Sequence, residues 1–289
     1  MWREHLDAYI FLGPWILGFL AWTLGPMVAS AALAFTNYEI LLAPKWVGLD
    51  NFGGMLRDEI FLKSLGNTAY YTFIGVPLQI VVALFAAILL NQKVRGVSIY
   101  RTAFYLPSLA PAVANAMVWL WLLNPEFGLA NALLRALGLP PQKWLMDVNL
   151  AKPSMIIMSL WGIGSQMIIF LAGLQGIPDL YYEAATVDGA KRWDTIRHIT
   201  MPLLSPSIFF NTVVGIIGSF QVFTTAFVAT GGGPQNATLF YVLYLYRNGF
   251  QYFKMGYASA LAWVLFVIIL GFTLLQFRIG QYWVYYEVE

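Results

Sequence analysis

Ile177-Pro178-Asp179-Leu180-Tyr181-Tyr182-Glu183-Ala184-Ala185-Thr186-Val187-Asp188-Gly189-Ala190, continuing through Arg197-His198-Ile199-Thr200-Met201-Pro202, is a polar island between two apolar runs. Residues 154–174 precede the island and residues 203–229 follow it. Each run is long enough to cross a bilayer, because about 20 apolar residues at roughly 1.5 Å rise cover a hydrocarbon core of about 30 Å. Four more runs of this kind occupy residues 9–35, 65–90, 102–123 and 255–277, and none of the six contains Asp, Glu, Lys, Arg or His. Hydrophobic residues make up 60% of the chain and charged residues 10%. A soluble domain carries about 25% charged residues. The composition therefore predicts an all-α polytopic membrane protein with six transmembrane helices, organised as one transmembrane domain over residues 1–289.

Several function classes drop out on composition. The net charge of +2 and the absence of any Lys/Arg run argue against nucleic-acid binding. With no cysteine there is no disulfide, thiolate metal site or Cys nucleophile. His5 and His198 lie far apart without paired carboxylates, so no catalytic or metal-ligating set is expected. No Gly-Lys-Ser/Thr loop is present to cradle a nucleotide. The first run is about twice the length of a signal-peptide core and lacks a small-residue cleavage site, so it reads as a retained span. Charge-free spans also leave no obvious binding group for a driving ion. An ion-coupled carrier or channel for a small neutral solute stays as the alternative, because broken helices can hold sodium with backbone carbonyls.

If all six runs cross, residues 37–64, 124–153 and 230–254 lie on one side. Both termini, the 91–101 turn and the island lie on the other. Each side carries eight Lys/Arg, with Arg3 and Lys93 counted on the island side. That side is the shorter in total, and the density of positive charge favours it as cytoplasmic. Within the island, Asp179 after Pro178 is placed to cap a helix starting at Leu180, and Asp188-Gly189 offers the turn that ends it. A second amphipathic piece runs from Ala190 until Pro202 stops its regular continuation. On charge alone the island reads as an ordinary solvated loop. Pro14, Pro26 and Pro77 are candidate kinks within the spans.

Glu183-Ala184-Ala185, Gly189, Ile199 and Met201-Pro202 reproduce a spacing that resembles the coupling-loop signature of binding-protein-dependent ABC importer permeases. Met201 stands where that family has Leu, a volume-conserving exchange. Three further segments fit the carbohydrate-uptake branch, which includes the first permease of maltose and glycerol-phosphate type transporters. They are Trp46-Val47-Gly48-Leu49-Asp50-Asn51-Phe52, Arg101-Thr102-Ala103-Phe104-Tyr105-Leu106-Pro107, and Thr230-Gly231-Gly232-Gly233-Pro234 with Thr238, Tyr246 and Phe250 downstream. The resemblance implies the type I importer permease fold in a bacterial or archaeal cytoplasmic membrane, with a coupling loop at 177–202. It also implies a second homologous permease, two ATP-binding subunits that bind ATP and magnesium, and an external substrate-binding protein. On this resemblance Glu183, Ala184, Ala185, Asp188 and Gly189 form the contact with the ATPase, and the chain itself carries no cofactor and no catalytic residue.

Uncharged polar residues inside the spans include Gln79, Asn115, Ser159, Ser165, Gln166, Ser219, Gln221, Thr224 and Thr225. Amides and hydroxyls of this kind suit a neutral polyhydroxylated ligand, and an aromatic face such as Trp161 can cover its C–H surface. No span supplies a cation, which disfavours acidic cargo unless the second permease contributes one. Gly215, Ser219 and Phe223 fall at successive fourth positions and so are expected on one helix face; the resemblance places the sugar site at this span. Gly215 and Ser219 equally fit a small-residue contact between helices. Gln166 and Asn115 equally fit interhelical hydrogen bonds, and Trp161, like Trp119 and Trp121, fits packing or lipid contact better than a sugar platform.

Overall fold

A computed structural model describes residues 2–92 and 95–285. Lys93, and the side chains of Arg3 and His5, lie outside what it describes. The fold is mostly helical, 73% by residue. In chain order the helices are α1 (Trp2–Phe19), α2 (Gly25–Leu33), α3 (Asp50–Met55), α4 (Glu59–Leu90), α5 (Val97–Leu109), α6 (Ala112–Leu122), α7 (Leu129–Ala136), α8 (Ala151–Leu160), α9 (Gly164–Gln175), α10 (Asp179–Val187), α11 (Arg192–Thr195), α12 (Met201–Leu203), α13 (Ser205–Phe220), α14 (Thr224–Ala229), α15 (Tyr241–Tyr246) and α16 (Met255–Gly280). Phe11–Leu33, α4 and α16 are each long and apolar enough to span a membrane, and three bent pairs bring the candidates to six.

The bends are the main departure from the expected straight spans. The third run is two helices, α5 and α6, set at 102°. Ala110 and Pro111 between them are both extended, with ψ of 138° and 137°, as expected for a residue pushed out of helical geometry by a following proline. The fourth run breaks by 47° between α8 and α9. The fifth begins only after a 62° bend at Leu204 and ends at Phe220, leaving α14 as a separate short helix. Pro14 and Pro77, in contrast, sit inside α1 and α4 without ending them.

The chain partitions into two compact units, Met1–Leu62 with Tyr244–Ile268, and Lys63–Leu243 with Ile269–Glu289. The first unit explains the Trp46 to Phe52 segment physically. A two-stranded antiparallel ribbon pairs Thr36 with Trp46 and Asn37 with Lys45, and Gly48 turns out of it at φ +59°. The Phe35 ring packs against Trp46 and Phe52 at 5.6 and 5.4 Å between centroids. Asn51 Nδ2 donates to the Ala34 and Thr36 carbonyls at 2.8 and 2.9 Å. Gly256 approaches so closely that a Cβ there would lie 2.0 Å from the Thr36 oxygen. Asp58 caps α4, accepting from the Ile60 and Phe61 amides at 2.9 and 3.2 Å, and also accepts the Tyr244 and Tyr257 hydroxyls.

The core of the second unit joins α4 to α9. Ala83, Ala86, Ala87 and Leu90 meet Ile163, Met167, Phe170, Leu171 and Leu174, all buried. Alanines at this helical spacing let the two backbones come close, which is how helices associate where lipid removes the hydrophobic drive. Arg101 Nη2 donates to the Leu90 carbonyl at 2.9 Å and so closes the exposed end of α4. Beyond α6, the fully buried Asn131 organises residues 124–146. Its amide donates to the Pro125 and Gln142 carbonyls and accepts from Gln142 N and Trp144 Nε1, all at 2.8–3.0 Å. The glycine-rich segment after α14 is pinned rather than loose. Thr238 Oγ1 lies 2.6 Å from Thr230 Oγ1 and 2.7 Å from the Gly233 oxygen. Lys63 and Asn67 of α4 donate to the Gln235 and Asn236 carbonyls.

Two outcomes follow from these networks. Burial pushes the Asp58 carboxyl up, but the four hydrogen bonds outweigh it and hold its pKa below the usual value of 3.8. Because the folded value is depressed, the stability it brings is present above the unfolded pKa and is lost as pH falls through the folded one. Asp58→Asn should therefore lower the thermal midpoint at pH 7, with the gap to the parent protein closing as pH falls below 3.8. Asn131→Ala strands two carbonyls, an amide and an indole N–H, and should cost about 3 kcal/mol in equilibrium unfolding in mixed micelles.

Candidate functional site

Within the polar island α10 is a short helix fixed at both ends. The second piece runs from Arg192 through Pro202 to Leu203, so the proline does not stop it as expected; the bend comes at Leu204. Pro178, not Asp179, is the residue before the first turn of α10, and it makes no side-chain cap. Asp179 instead lies in that first turn, where its charge faces the positive end of the helix. At the other end Gly189 takes φ +78°. Its N–H bonds the Thr186 carbonyl at 3.1 Å and the Ala190 N–H bonds Ala185 at 2.9 Å, a Schellman closure that requires a left-handed residue and so favours glycine. The expected stop at Asp188-Gly189 is where the helix ends. Buried Ile177 anchors the start, and Tyr182 Oη lies 3.3 Å from Thr200 Oγ1 in the following segment.

Glu183, Ala184, Asp188 and Gly189 are all exposed and Ala185 is half-buried. Sequence reasoning missed the apolar stripe beside them: Leu180, Ala184 and Val187 recur at i, i+4 and i+7, with Leu180 71% and Val187 88% exposed. Trp193, in α11, is 71% exposed as well. Leu180 and Val187 thus place two large exposed apolar side chains about two turns apart on a polar loop, a surface suited to being covered. Reading the island for charges concealed it, although its periodicity was visible in the sequence.

Inside the second unit two cavities sit where the spans break. The first, about 370 Å³, is lined by Gln79, Ser165, Gln166, Asn211, Gly215 and Ser219 among others. Gln79 Nε2 donates to Ser159 Oγ at 2.8 Å, and the Ser159 hydroxyl donates to the Ile156 carbonyl at 2.6 Å. Ser219 Oγ is 2.9 Å from both Thr72 Oγ1 and the Ile216 oxygen. Gly215 has to be small, since a Cβ would lie 2.9 Å from Val76 Cγ1, and it leaves room beside Gln166 Nε2. Gly215 and Ser219 thus both pack against α4 and line the cavity. Gln166 Oε1 is buried with no partner among the described residues.

The second cavity, about 220 Å³, lies between the α5–α6 and α8–α9 breaks and takes in Ser108, Ala112, Asn115, Trp119, Met158 and Thr225. Gly164 makes this crossing possible: a Cβ there would lie 2.6 Å from the Phe104 oxygen. Among the described residues Asn115 Nδ2 reaches only the Pro107 carbonyl, at 3.5 Å. Trp119 Nε1 is buried and unpartnered among the described residues. Neither cavity is lined by Asp, Glu, Lys, Arg or His.

Two of the six residues expected at the substrate site line neither cavity. Phe223 lies beyond the end of α13, with φ −136° and ψ −64°, so it does not share a helix face with Gly215 and Ser219. Its ring stacks on Phe227 at 5.3 Å. The face runs the other way, through Asn211, Gly215 and Ser219, which the same fourth-residue spacing would have found. Trp161 is 48% exposed and meets Trp119 edge-on at 6.0 Å, supporting that ring from outside. Tyr71 lines both cavities and was also missed, having no mark in the sequence to separate it from its aromatic neighbours.

Comparison with known proteins gives these features a family. The model described as binding-protein-dependent transport system inner membrane component matches residues 79–282. Probable ABC transporter permease protein YesP of Bacillus subtilis (strain 168) is 46% identical over 290 residues, covering 99% of this chain and 94% of the relative. The arabinooligosaccharides transport system permease protein AraP of the same organism is 34% identical, covering 94% and 88%. A chain of the bacterial alginate ABC transporter, solved in complex with an alginate pentasaccharide-bound periplasmic protein, superposes with a TM-score of 0.85 at 25% identity, covering 95% of this chain and 93% of that one. These matches set aside the ion-coupled carrier. The chain belongs to the binding-protein-dependent inner membrane component family: it has the type I importer permease fold and is a permease subunit of an ABC transporter rather than an enzyme.

Proposed function

We propose that this chain carries a neutral sugar or oligosaccharide, delivered by an external binding protein, into the cytoplasm of a bacterial or archaeal cell. In this reading it pairs with a second homologous permease across the cytoplasmic membrane and rests on two ATP-binding subunits, which hold ATP and magnesium and do the hydrolysis. The observation that carries the reading is the pair of uncharged cavities at the helix breaks, where amides, hydroxyls and an indole face are the only specific groups. The names of relatives support the cargo class: AraP is named for arabinooligosaccharides. A binding protein as donor is supported by the alginate complex, which holds one.

The mechanism places two tasks in two parts of the second unit. The α10 helix, closed at Gly189 and rooted at Ile177, passes a displacement to the spans on either side as a rigid body. Its Leu180, Ala184 and Val187 stripe supplies the apolar contact with the ATPase, and Glu183 and Asp188 supply charge around it. The cavities bind cargo through hydrogen bonds. An acidic saccharide is the second reading, because a solved structural neighbour imports the acidic polysaccharide alginate; the cation such cargo needs would then come from the other permease.

Replacing Gly189 by Arg forces an L-residue into a left-handed position at a cost of about 1 kcal/mol and places a bulky cation on the docking surface. Cargo-stimulated ATP hydrolysis and uptake in proteoliposomes should fall at least about tenfold with the complex still assembled, and unchanged rates would contradict the role of α10. Gln166→Ala should lower uptake by roughly tenfold, the worth of one hydrogen bond of about 1.4 kcal/mol to cargo, while leaving basal ATP hydrolysis intact.

A further inference from the structure

Between α10 and α13, the helix that lines the larger cavity, the chain passes through a weak stretch of backbone. Ile196–Thr200 is a π-helical turn, and the chain then bends by 62° at Leu204 before α13 begins. Pro202 and Pro206 flank that bend, and a proline has no N–H to give the carbonyl one turn earlier. Pro206 therefore leaves the Pro202 carbonyl without the N–H that would normally reach it from four residues on. Ser205 supplies a donor instead: this buried residue gives its hydroxyl proton to Pro202 O at 2.6 Å. With its ladder of backbone hydrogen bonds interrupted, such a bend yields before the helices on either side of it do.

That repair is held in turn by the residues after α16. Beyond Gly280 the backbone turns, with the Trp283 and Val284 N–H groups bonding the Gly280 carbonyl at 3.1 and 2.9 Å. The turn carries the Tyr285 N–H to Ser205 Oγ at 2.8 Å. A serine hydroxyl has one proton, and Ser205 gives it to Pro202, so it meets Tyr285 with a lone pair and the two bonds fix its orientation. One helical turn further along α13, Phe209 is gripped as well. Phe277 and Trp283 meet its ring edge-on at 5.2 and 6.2 Å between centroids. Gly280 makes room for it, since a Cβ there would lie 2.8 Å from Phe209 Cε2. Ser205 and Phe209, four residues apart, share one face of α13. Asn211, which begins the cavity-lining row with Gly215 and Ser219, lies about 200° around the helix from Phe209.

We infer that residues 281–285 are a strap across the bend at Leu204, joining the segment after α10 to α13 as one lever, and that Ser205 and Trp283 are positioning residues of the transport stroke. With the strap in place, a push on α10, carried on through the contact of Tyr182 with Thr200 at 3.3 Å, turns α13 instead of flexing the chain at the bend. Without it the ATP-binding subunits would cycle while the cavity face of α13 stays behind. The strap thereby governs how much cargo moves for each ATP hydrolysed. This rests on the proposed docking of α10 on the ATP-binding subunits.

The chain has no cysteine, so one placed at Val214, which lines the larger cavity from α13, reads the far side of the bend. It is introduced into the complete importer with cysteine-free partners. Its labelling by N-ethylmaleimide is timed in the nucleotide-free state and again after trapping with ATP, magnesium and vanadate. With the strap intact the two rates should differ at least about fivefold, as expected when a two-state element changes position. Ser205→Ala and Trp283→Ala should bring the rates within about twofold of each other while ATP hydrolysis continues, and Trp283→Phe, which keeps a ring on Phe209, should restore the difference. Tyr285→Pro is the second route if those changes prevent assembly, since Tyr285 is 53% exposed and the substitution removes its N–H. A full difference in every strap variant, or a loss as complete in Trp283→Phe as in Trp283→Ala, overturns the strap alone so long as Gly189→Arg abolishes the difference in the same preparation. Equal rates in the parent importer, or a full difference in Gly189→Arg, overturn the docking of α10 as well.

Discussion

Backbone N–H and C=O groups in hydrocarbon have no water to turn to, so a chain can leave the helix at membrane depth only where it is buried in protein or faces a cavity. This constraint organises the second unit. Its spans are interrupted at Ala110-Pro111, at residues 161–163 and after Phe220, and residues at each interruption, Ala110, Gly162 and Val222, line one of the two cavities. The breaks and the cavities are one feature.

In the proposed function the same unit separates recognition from the input of force. Uncharged cavities would choose cargo by hydrogen bonding and shape, and the charges of the chain are left to its loops and to the island. On the island they surround an exposed apolar stripe on a helix that glycine closes at one end and a buried isoleucine roots at the other. A loose loop would dissipate a push from a partner. Between the two regions stands the packed contact of α4 with α9, where the small alanines of α4 let the two helices pack closely.

Much of this was legible before any coordinates. Six apolar runs without a charge give the membrane class, and Gly189 is a helix stop on conformational grounds alone. The bends were hidden because a hydropathy run measures length and composition, which are the same for a straight and a broken helix. Pro111 was the available signal, while Pro77 shows why proline is not decisive: α4 passes through it. Phe223 was misplaced for the same reason, since an i, i+4 argument holds only while the helix lasts, and α13 ends three residues earlier. Asn211 needed only that the same spacing be followed backwards.

The claim on which the account rests most heavily is that α10 is covered by an ATP-binding subunit. A cysteine at Val187 would be the sole thiol of this chain, and its labelling by a membrane-impermeant maleimide can be timed in the isolated permease pair and in the complete importer. Labelling should slow at least about tenfold on assembly with the ATP-binding subunits, the protection expected of a residue buried in an interface core. Equal rates in the two preparations would show that the stripe stays open to solvent, and would contradict the account.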